Sequence, residues 1–365
     1  MHGHAQNSSS IRFAVIGDFG KAGQPEADVA SMVNNLNPDF IITTGDNNYD
    51  VGAATTIDEN IGKYYSSFIS PYVGSYGSGD TINRFFPCLG NHDWATTGAV
   101  PYLNYFSLPG NERYYDFVRG PVHFFAIDSD PNEPDGIDSS SVQAQWLKTA
   151  LAGSTAIWKI VYMHHPPYSS SSVHGSTTTM QWPFKRWGAS AVLAGHDHTY
   201  ERLLKDSLIY IVNGLGGRSI YSFGTAIPES HVRFNDDYGA MIVVANSDSI
   251  TFLFITRNYH IADRHTLHNL YSSSEPLPEK FSLKQNYPNP FNQGTTIRFD
   301  LPESGHVKIS LFNELGQKVR ILADDSYNVG ENHVLVDMKG FSSGIYFYRM
   351  ETKKYSKTKK MVYVK

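Results

Sequence analysis

Short runs of β-branched and aromatic residues, each ending where a cluster of polar residues begins, recur through the first half of the chain. Six of them have the sequences IRFAVIG, FIITTG, RFFPCLG, HFFAID, IWKIVYM and ASAVLAG. Runs of this length and composition are typical of buried strands that end at a loop. Helix-like stretches at 25–36 and 141–151 lie between them, so the pattern predicts alternating strands and helices.

A second group of strand-like runs follows with little helix between its members. Their sequences are SLIYIVNG, YGAMIVVAN and SITFLFITR. A two-sheet β-sandwich flanked by helices accommodates both groups, so we predict an α/β fold of that kind. After Ile261 the strand pattern fades.

The length of 365 residues exceeds one ordinary domain of roughly 150 residues, so we expect two. The Ser-, Pro- and Glu-rich segment 272–279 has the composition of an exposed linker. Six short alternating runs follow it, which predicts a small all-β sandwich. The predicted division is a flexible N-terminus at 1–10, a first domain at 11–265, a linker at 266–280 and the sandwich at 281–365.

Charge, hydropathy and cysteine content exclude several classes of protein. A net charge of -5 argues against nucleic-acid binding as a main role. No apolar stretch approaches the roughly 20 residues of a transmembrane helix, so we expect none. Residues 1–280 carry 17 Lys and Arg against 27 Asp and Glu, whereas 281–365 carry 13 against 8, which suggests two modules of separate origin. The single cysteine, Cys88, excludes an intrachain disulfide and is interpreted as an inert core thiol.

Five strand-to-loop junctions end in residues that bind metal ions. A glycine precedes the polar residue in four of them, where it allows a sharp turn and a close approach. The junctions are Gly17–Gly20, Gly45–Tyr49, Gly90–Asp93, Val161–His164 and Gly195–His198, which together carry Asp, Asn, Tyr and His side chains. Carboxylates and imidazoles together suit transition metals, and a mixed set of this size exceeds the needs of one tetrahedral ion. We therefore predict two ions, an arrangement that favours phosphoester hydrolysis.

These blocks, in this order, resemble the calcineurin-like metallophosphoesterases over about residues 11–261. The Gly-Asp-x-x-Tyr form at 45–49, with Gly-Asn-His, Val-x-x-His and Gly-His-x-His, is similar to the purple acid phosphatases. The resemblance implies an iron-containing hydrolase and a metallophosphoesterase catalytic domain at 11–265. If Tyr49 instead faces away, the purple acid form fails while the esterase interpretation survives.

The resemblance also implies a role for each candidate ligand. Asp18, Tyr49 and His198 would bind a ferric ion, with the Tyr49 phenolate giving a visible colour. Asn91, His164 and His196 would bind a divalent ion, which ligand type leaves open among Fe, Zn and Mn. Asp46 would bridge the two ions, and the attacking nucleophile would be a metal-bound hydroxide.

Two histidines are the candidate catalytic residues. His92 follows a ligand directly and is expected to face the substrate, and His174 matches a second substrate-facing histidine of the family. Both suit phosphate binding and protonation of the leaving group. His165 is expected to point to the opposite face of its strand. Asp50 and Asp93 are expected to stabilise loops or to support the ligands without binding a metal ion. Glu201 and Arg202 are expected to take part in an ion pair that supports their loop.

The C-terminal segment resembles the type A sorting domain of the type IX secretion system. The resemblance rests on the Pro- and Asn-rich entry at 281–292, on LFNELGQ at 311–317 and on SGIYFY at 343–348. It implies a bacterial protein that is carried across the outer membrane, is secreted or held at the cell surface, and has the type IX machinery as its partner. A carbohydrate-binding or adhesive sandwich fused to an enzyme is the rival interpretation.

Together these features predict a secreted, acid phosphatase-like enzyme that acts on phosphomonoesters. The alternatives are a phosphodiesterase or nucleotidase of the same superfamily and a noncatalytic cell-surface binding module. Substrate choice is expected to depend on loops 51–80, 132–141 and 169–179. The sequence leaves open the natural substrate, the divalent metal, the pH optimum, the oligomeric state and whether the C-terminal domain is cleaved.

Overall fold

The computed structural model describes residues 10–269, 278, 280–292, 294–327 and 329–365. Within it the chain divides into two compact units, Met1–Asn269 and Leu270–Lys365. The predicted N-terminal segment up to residue 9 and most of the 272–279 linker lie outside the described residues. The domain limits drawn from the sequence stay predictions.

The first unit contains two sheets. In chain order its strands are β1 (Ile11–Ile16), β2 (Phe40–Thr43), β3 (Phe85–Pro87), β4 (Tyr115–Arg119), β5 (Val122–Ala126), β6 (Trp158–Tyr162), β7 (Ala191–Ala194), β8 (Tyr200–Lys205), β9 (Leu208–Asn213), β10 (Ser230–Phe234), β11 (Gly239–Ala245), β12 (Ser249–Thr256) and β13 (Ile261–His268). One sheet has the order β13-β12-β11-β1-β2-β3 and the other β10-β8-β9-β7-β6-β5-β4. The predicted α/β class with two sheets is confirmed.

Helices connect and flank these strands. They are α1 (Gln24–Asn35), α2 (Lys63–Tyr65), α3 (Asn91–Trp94), α4 (Val100–Tyr105), α5 (Val142–Gly153) and α6 (Phe184–Trp187), with a π-helical turn at Asp58–Gly62 and 3₁₀ turns at Ser66–Phe68, Thr97–Ala99 and Thr178–Met180. The start of α5 is fixed by Ser141, whose Oγ accepts from the Ala144 N–H at 3.1 Å, because this bond satisfies a donor that the helix leaves free. In the first turn of α1, Pro25 reduces the number of unpaired N–H groups, because proline has no backbone N–H to satisfy.

Aromatic and β-branched side chains fill the space between the two sheets. Phe13 of β1 meets Phe124 of β5 edge to face, with ring centroids 4.9 Å apart. A second cluster lies between the seven-stranded sheet and two helices, where Leu147 of α5 and Phe184 of α6 are fully buried. Burial on both faces explains why the strands read as continuous apolar runs.

Parallel pairing brings several strand ends to the same place. Strands β1, β2 and β3 are parallel neighbours, with Ile16 beside Thr43 and Thr43 beside Pro87. Strands β6 and β7 are also parallel, with Tyr162 beside Leu193. Because the carboxyl ends of parallel strands share one edge of a sheet, the loops that follow them lie together.

The expectation that the strand pattern fades after Ile261 was wrong. Strand β13 begins there, pairs with β12 and continues to His268. It forms an edge of its sheet, so it carries polar residues such as Asp263 and Arg264 and lacks the apolar run of a central strand.

The second unit is an all-β structure. Its strands are β14 (Ser282–Leu283), β15 (Gly294–Leu301), β16 (Gly305–Phe312), β17 (Lys318–Tyr327), β18 (Gly330–Asp337), β19 (Gly344–Glu351) and β20 (Ser356–Tyr363). They form sheets of the order β14-β15-β18 and β17-β16-β19-β20. Phe299, Ile309 and Tyr348 lie in a core of its own. As the sequence indicated, the described part of this unit contains no helix.

None of the helices in the described part of the chain is both long and apolar enough to cross a membrane.

Candidate metal centre

Three of the predicted ligands have an unusual backbone conformation. Asp18, Asp46 and His196 have φ values of 55°, 53° and 68°, in the left-handed region that non-glycine residues seldom adopt. Such conformations persist where the surrounding structure enforces them, and they cluster at functional sites. Gly45, with φ 88°, shows the same constraint, since a Cβ there would lie 2.7 Å from His164 Nδ1. The glycine before the ligand is thus required by close approach.

One group of predicted ligands surrounds Nε2 of His164. This atom lies 3.0 Å from Asn91 Oδ1, 3.3 Å from Asp46 Oδ1 and 3.1 Å from His196 Nδ1. On the other side of the ring, His164 Nδ1 donates to the Thr44 carbonyl at 2.8 Å. Because a carbonyl can only accept, Nδ1 carries the proton and the Nε2 lone pair faces the group.

A second group joins Asp18, Tyr49 and His198. Tyr49 Oη lies 3.2 Å from Asp18 Oδ1 and 3.2 Å from His198 Nε2. His198 Nε2 is in turn 3.4 Å from Asp18 Oδ1. The other ring nitrogen of His198 is 2.6 Å from Ser219 Oγ, which orients the ring.

The two groups are neighbours. The backbone N–H of His196 donates to Asp18 Oδ2 at 2.9 Å, which links them directly. One ligand atom each from Asp18, Asp46 and His164 lies within 4.8 Å of the others. All seven predicted ligands therefore lie around one compact cluster.

The donor set fits a metal cluster. Around His164 Nε2, the facing atoms of Asn91 and Asp46 are oxygens that accept rather than donate, and Nε2 itself presents a lone pair. Lone pairs buried face to face at about 3 Å repel unless a proton or a cation lies between them. Carboxylate, amide and imidazole ligands suit Fe, Zn and Mn, and a phenol adds a hard anionic donor once deprotonated.

Burial perturbs the ionisable groups of the cluster. It raises the pKa of Asp18 far above its usual range, and the nearby Asp46 carboxylate raises it further. Burial also raises the pKa of Tyr49, with Asp18 and Asp46 adding to the effect. It lowers the pKa of His164 strongly and that of His198 to about 4. A bound cation favours the deprotonated form of every one of these groups, so metal binding would offset the cost of burying the anions.

His92 lies beside this cluster with one ring nitrogen already engaged. Its Nδ1 lies 2.5 Å from the Asp50 carbonyl and therefore donates to it. Its ring centroid is 4.3 Å from that of Tyr49, and its Nε2 is 3.9 Å from Asp46 Oδ2. The side chain is 35% exposed, so Nε2 is open to a ligand from solvent.

His174 lies against the ring of His196. The two rings are stacked, with centroids 4.0 Å apart, and His174 is exposed. Its loop is held by two buried carboxylates. Asp197 accepts from the backbone of Gly175 at 3.1 Å, and Glu201 accepts from the backbone of Ser170 at 2.7 Å.

The expectation for His165 was wrong, because its side chain lies beside the site. Its ring centroid is 4.3 Å from that of His196, and it belongs to a possible metal-binding group with His164 and His196. Strand β6 ends at Tyr162, so the alternation of faces along a strand does not extend to residue 165. The adjacent His-His pair itself was the available signal.

Other neighbours behave mostly as the sequence indicated. Asp93 is buried and accepts from the backbone N–H of Gly90 at 2.9 Å, and burial together with the nearby Asp46 raises the pKa of Asp93 to about 7. Arg202 forms its ion pair with Asp263, at 2.7 Å, rather than with the neighbouring Glu201.

Two residues of the 213–224 loop were missed by the sequence analysis. Arg218 places its guanidinium carbon 5.2 Å from the Tyr49 ring centroid. Tyr221 stacks on His198, with ring centroids 4.0 Å apart and planes at 6°. Gly214, Gly216 and Gly217 precede them in the chain and are a partial signal, since clustered glycines favour tight turns.

A two-sheet α/β core with acidic and imidazole side chains gathered at parallel strand ends defines a metal-dependent hydrolase. Residues 11–200 match the calcineurin-like phosphoesterase family, and this match covers more than half of the chain. The protein belongs to that family.

The chain is similar to purple acid phosphatases. It is 27% identical over 248 residues to purple acid phosphatase 17 of Arabidopsis thaliana, covering 59% of this chain and 71% of that one. It is 24% identical over 261 residues to human tartrate-resistant acid phosphatase type 5, covering 62% and 79%. A nucleotide pyrophosphatase/phosphodiesterase of Hordeum vulgare is 24% identical over 318 residues, covering 73% and 85%.

Solved structures show the same fold. Purple acid phosphatase PPD1 from yellow lupin superposes with a TM-score of 0.61 at 18% identity, over 73% of this chain and 55% of that one. GAP50, described as the anchor in the inner membrane complex of Plasmodium, superposes with a TM-score of 0.58 at 20% identity, over 73% and 90%. Residues 285–365 match the secretion system C-terminal sorting domain.

Proposed function

We propose that the protein is a binuclear metal-dependent phosphatase that hydrolyses phosphomonoesters. The observation that carries the proposal is the pair of adjoining ligand groups, one around His164 Nε2 and one around Tyr49 Oη, with Asp46 between them. The similarity to acid phosphatases supports the monoester substrate.

The ligand groups suggest how two ions would be held. Asp18, Tyr49 and His198 would bind a ferric ion, and Asn91, His164 and His196 a divalent Fe, Zn or Mn, with Asp46 shared. When bound, such ions supply positive charge for the phosphoryl oxygens and lower the pKa of water.

The side chains around the cluster supply the remaining chemistry. Because His92 Nδ1 is committed to the Asp50 carbonyl, its Nε2 is the nitrogen that would hold a proton for the leaving group. His174, stacked on His196, would donate to a phosphoryl oxygen from the exposed side. Both are catalytic residues in this proposal.

We also propose that the chain is exported by a type IX secretion system and acts at the cell surface or outside the cell. The match of residues 285–365 to the sorting domain supports this. The partner would be the secretion machinery.

The proposal is tested on full-length protein whose metal content has been measured. We expect two metal ions per chain and hydrolysis of an aryl phosphate monoester that is lost when a chelator removes the metal and returns when metal is restored. Faster hydrolysis of an aryl phosphodiester or a nucleotide would favour the activity for which the Hordeum vulgare relative is named.

A noncatalytic binding module is the second candidate, because GAP50, a protein of like fold, is described as an anchor. Two bound metals with no turnover of any phosphoester at any pH would favour that candidate and overturn the phosphatase proposal.

A further inference from the structure

Arg218 is tied at both ends to loops that carry proposed metal ligands. Its backbone N–H donates to the Asp18 carbonyl at 3.0 Å. Its Nη2 donates to Asp50 Oδ1 at 3.2 Å, directly after Tyr49 in the chain. Between these two anchors the guanidinium lies over the Tyr49 ring, 5.2 Å from its centroid. The arginine is therefore held in one place against that ring.

The ion pair with Asp50 does not by itself explain this placement. The Arg218 and Asp50 side chains are 37% and 53% exposed, and pairs exposed to this degree stabilise a fold little. Asp50 also accepts from Lys21 Nζ at 2.7 Å, so it already has a cationic partner. Within the described part of the chain, Asp50 is the only side chain to which the Arg218 guanidinium is hydrogen-bonded. Among the described residues, Arg218 is the cation that lies over the Tyr49 ring, and this contact distinguishes it from Lys21.

A cation over an aromatic face is attracted by the electron density of the ring. The attraction grows when the ring carries negative charge, as a phenolate does, because a full charge then adds to the quadrupole. The planar guanidinium is suited to this contact, since it can stack on the ring while still pairing with a carboxylate.

We propose that Arg218 is a positioning residue for Tyr49, holding its ring in place and withdrawing electron density from the phenolate that binds the ferric ion. This inference rests on the proposed function, in which Tyr49 is a ferric ligand. A cation over the ring lowers the energy of its filled orbitals, so the phenolate-to-iron absorption band lies at shorter wavelength. The same positive charge favours Fe(II) over Fe(III) and raises the reduction potential.

The test compares iron-loaded full-length wild type with R218Q and R218K. We expect R218Q to retain its iron but to move the visible maximum to longer wavelength and the midpoint potential to a lower value. R218K keeps the charge without a planar face, so we expect a smaller shift in the same direction. If R218Q gives no folded protein, R218K decides, and an unshifted band in that variant overturns the inference.

Two matched controls separate ring contact from general charge. K21Q removes the other cation on Asp50, and R257Q removes an arginine that lies 5.3 Å from the ring centroid of Tyr238, a tyrosine outside the ligand set. Both should keep the wild-type band. The inference is overturned if K21Q shifts the band as much as R218Q, or if R218Q matches wild type in band and potential.

Failure of the proposed function gives results that differ from those of a failed Arg218 inference. Wild type that holds Fe(III) and shows no visible band would remove Tyr49 from the ligand set and overturn this inference with it. Hydrolysis of an aryl phosphate by the same preparation reports separately whether the phosphatase proposal stands.

Discussion

His92 offers the most direct chemical test at the scale of a single residue, because only one of its ring nitrogens is free to act on substrate. We expect H92N to lower kcat on the order of 10²-fold, as for the loss of a general acid. The loss should be larger for phenyl phosphate than for p-nitrophenyl phosphate, because nitrophenolate leaves readily without a proton. Steady-state kinetics on both substrates, with metal content measured, checks this.

The control for H92N is H260N, because His260 is exposed and lies outside the ligand set. It should leave kcat for both substrates unchanged. Equal losses for the good and the poor leaving group in H92N would contradict proton donation and leave His92 with phosphate binding alone.

A second prediction concerns the visible absorption band that the Tyr49 phenolate is proposed to give. Y49F removes the oxygen that lies 3.2 Å from both Asp18 and His198, so the visible band of the iron-loaded protein should disappear while the fold is retained. Absorption and circular dichroism spectra check the two parts. Y221F is the matched control, since Tyr221 stacks on His198 and is not a proposed ligand. A band that persists in Y49F would show that another residue supplies the colour.

The gathering of the predicted ligands could be anticipated because each of them lies within six residues of the end of a strand, and strand ends and turns leave signatures in sequence. What sequence could not supply was the direction of side chains beyond the strand ends. His165 and Arg218 approach the cluster through loop geometry, and no periodicity governs a loop. Asp197 was missed for a related reason, since its role is to hold a loop that is distant in sequence.

At the scale of elements, the strands at the centre of each sheet were predictable and those at the edges were less so. Strands such as β9 are buried along their whole length and therefore read as apolar runs. Most residues of the edge strand β13 are exposed or half-buried. Polar residues are therefore mixed with its apolar ones, and its sequence resembles that of a loop.

Helix α1 carries an ionisable group that predicts a pH dependence of stability. Glu26, in its first turn, is fully buried, and neither carboxylate oxygen has a hydrogen-bond partner within the described part of the chain. Burial raises its pKa well above the usual range, with Lys63 opposing the effect. The folded state therefore binds this proton more tightly than the unfolded state does. The resulting stability is complete below the unfolded pKa and is lost as pH rises toward the folded pKa.

E26Q removes that titration while keeping the shape of the side chain. Relative to wild type, we expect its free energy of unfolding to increase between pH 5 and pH 8, by up to about 1.4 kcal/mol for each unit by which the pKa is raised. Denaturant unfolding of metal-loaded protein at the two pH values measures this difference. E59Q, at an exposed glutamate in the Asp58–Gly62 turn, should show no such change. An E26Q difference that is equal at both pH values would contradict the prediction.

At the scale of the whole molecule, the chain combines two units with separate cores and opposite charge. The catalytic candidates all belong to the first unit, and the sorting-domain match falls entirely within the second. Residues 1–280 carry 10 more acidic than basic residues, whereas 281–365 carry 5 more basic than acidic ones. In the described part of the chain each unit has its own sheets and its own hydrophobic core, so each is expected to fold by itself.

This independence predicts that hydrolysis and export can be separated. A chain that ends at Asn269 should bind the same metal per mole and keep the kcat of the full chain. Expressed in a bacterium with a type IX system, it should stay inside the cell envelope, whereas the full chain reaches the surface or the medium. We expect the exported protein to have lost the second unit by cleavage between residues 269 and 281, which intact-mass measurement detects. An exported protein that keeps this unit and binds polysaccharide through it would instead support the carbohydrate-binding interpretation, because a bound sugar requires the unit to remain on the mature chain.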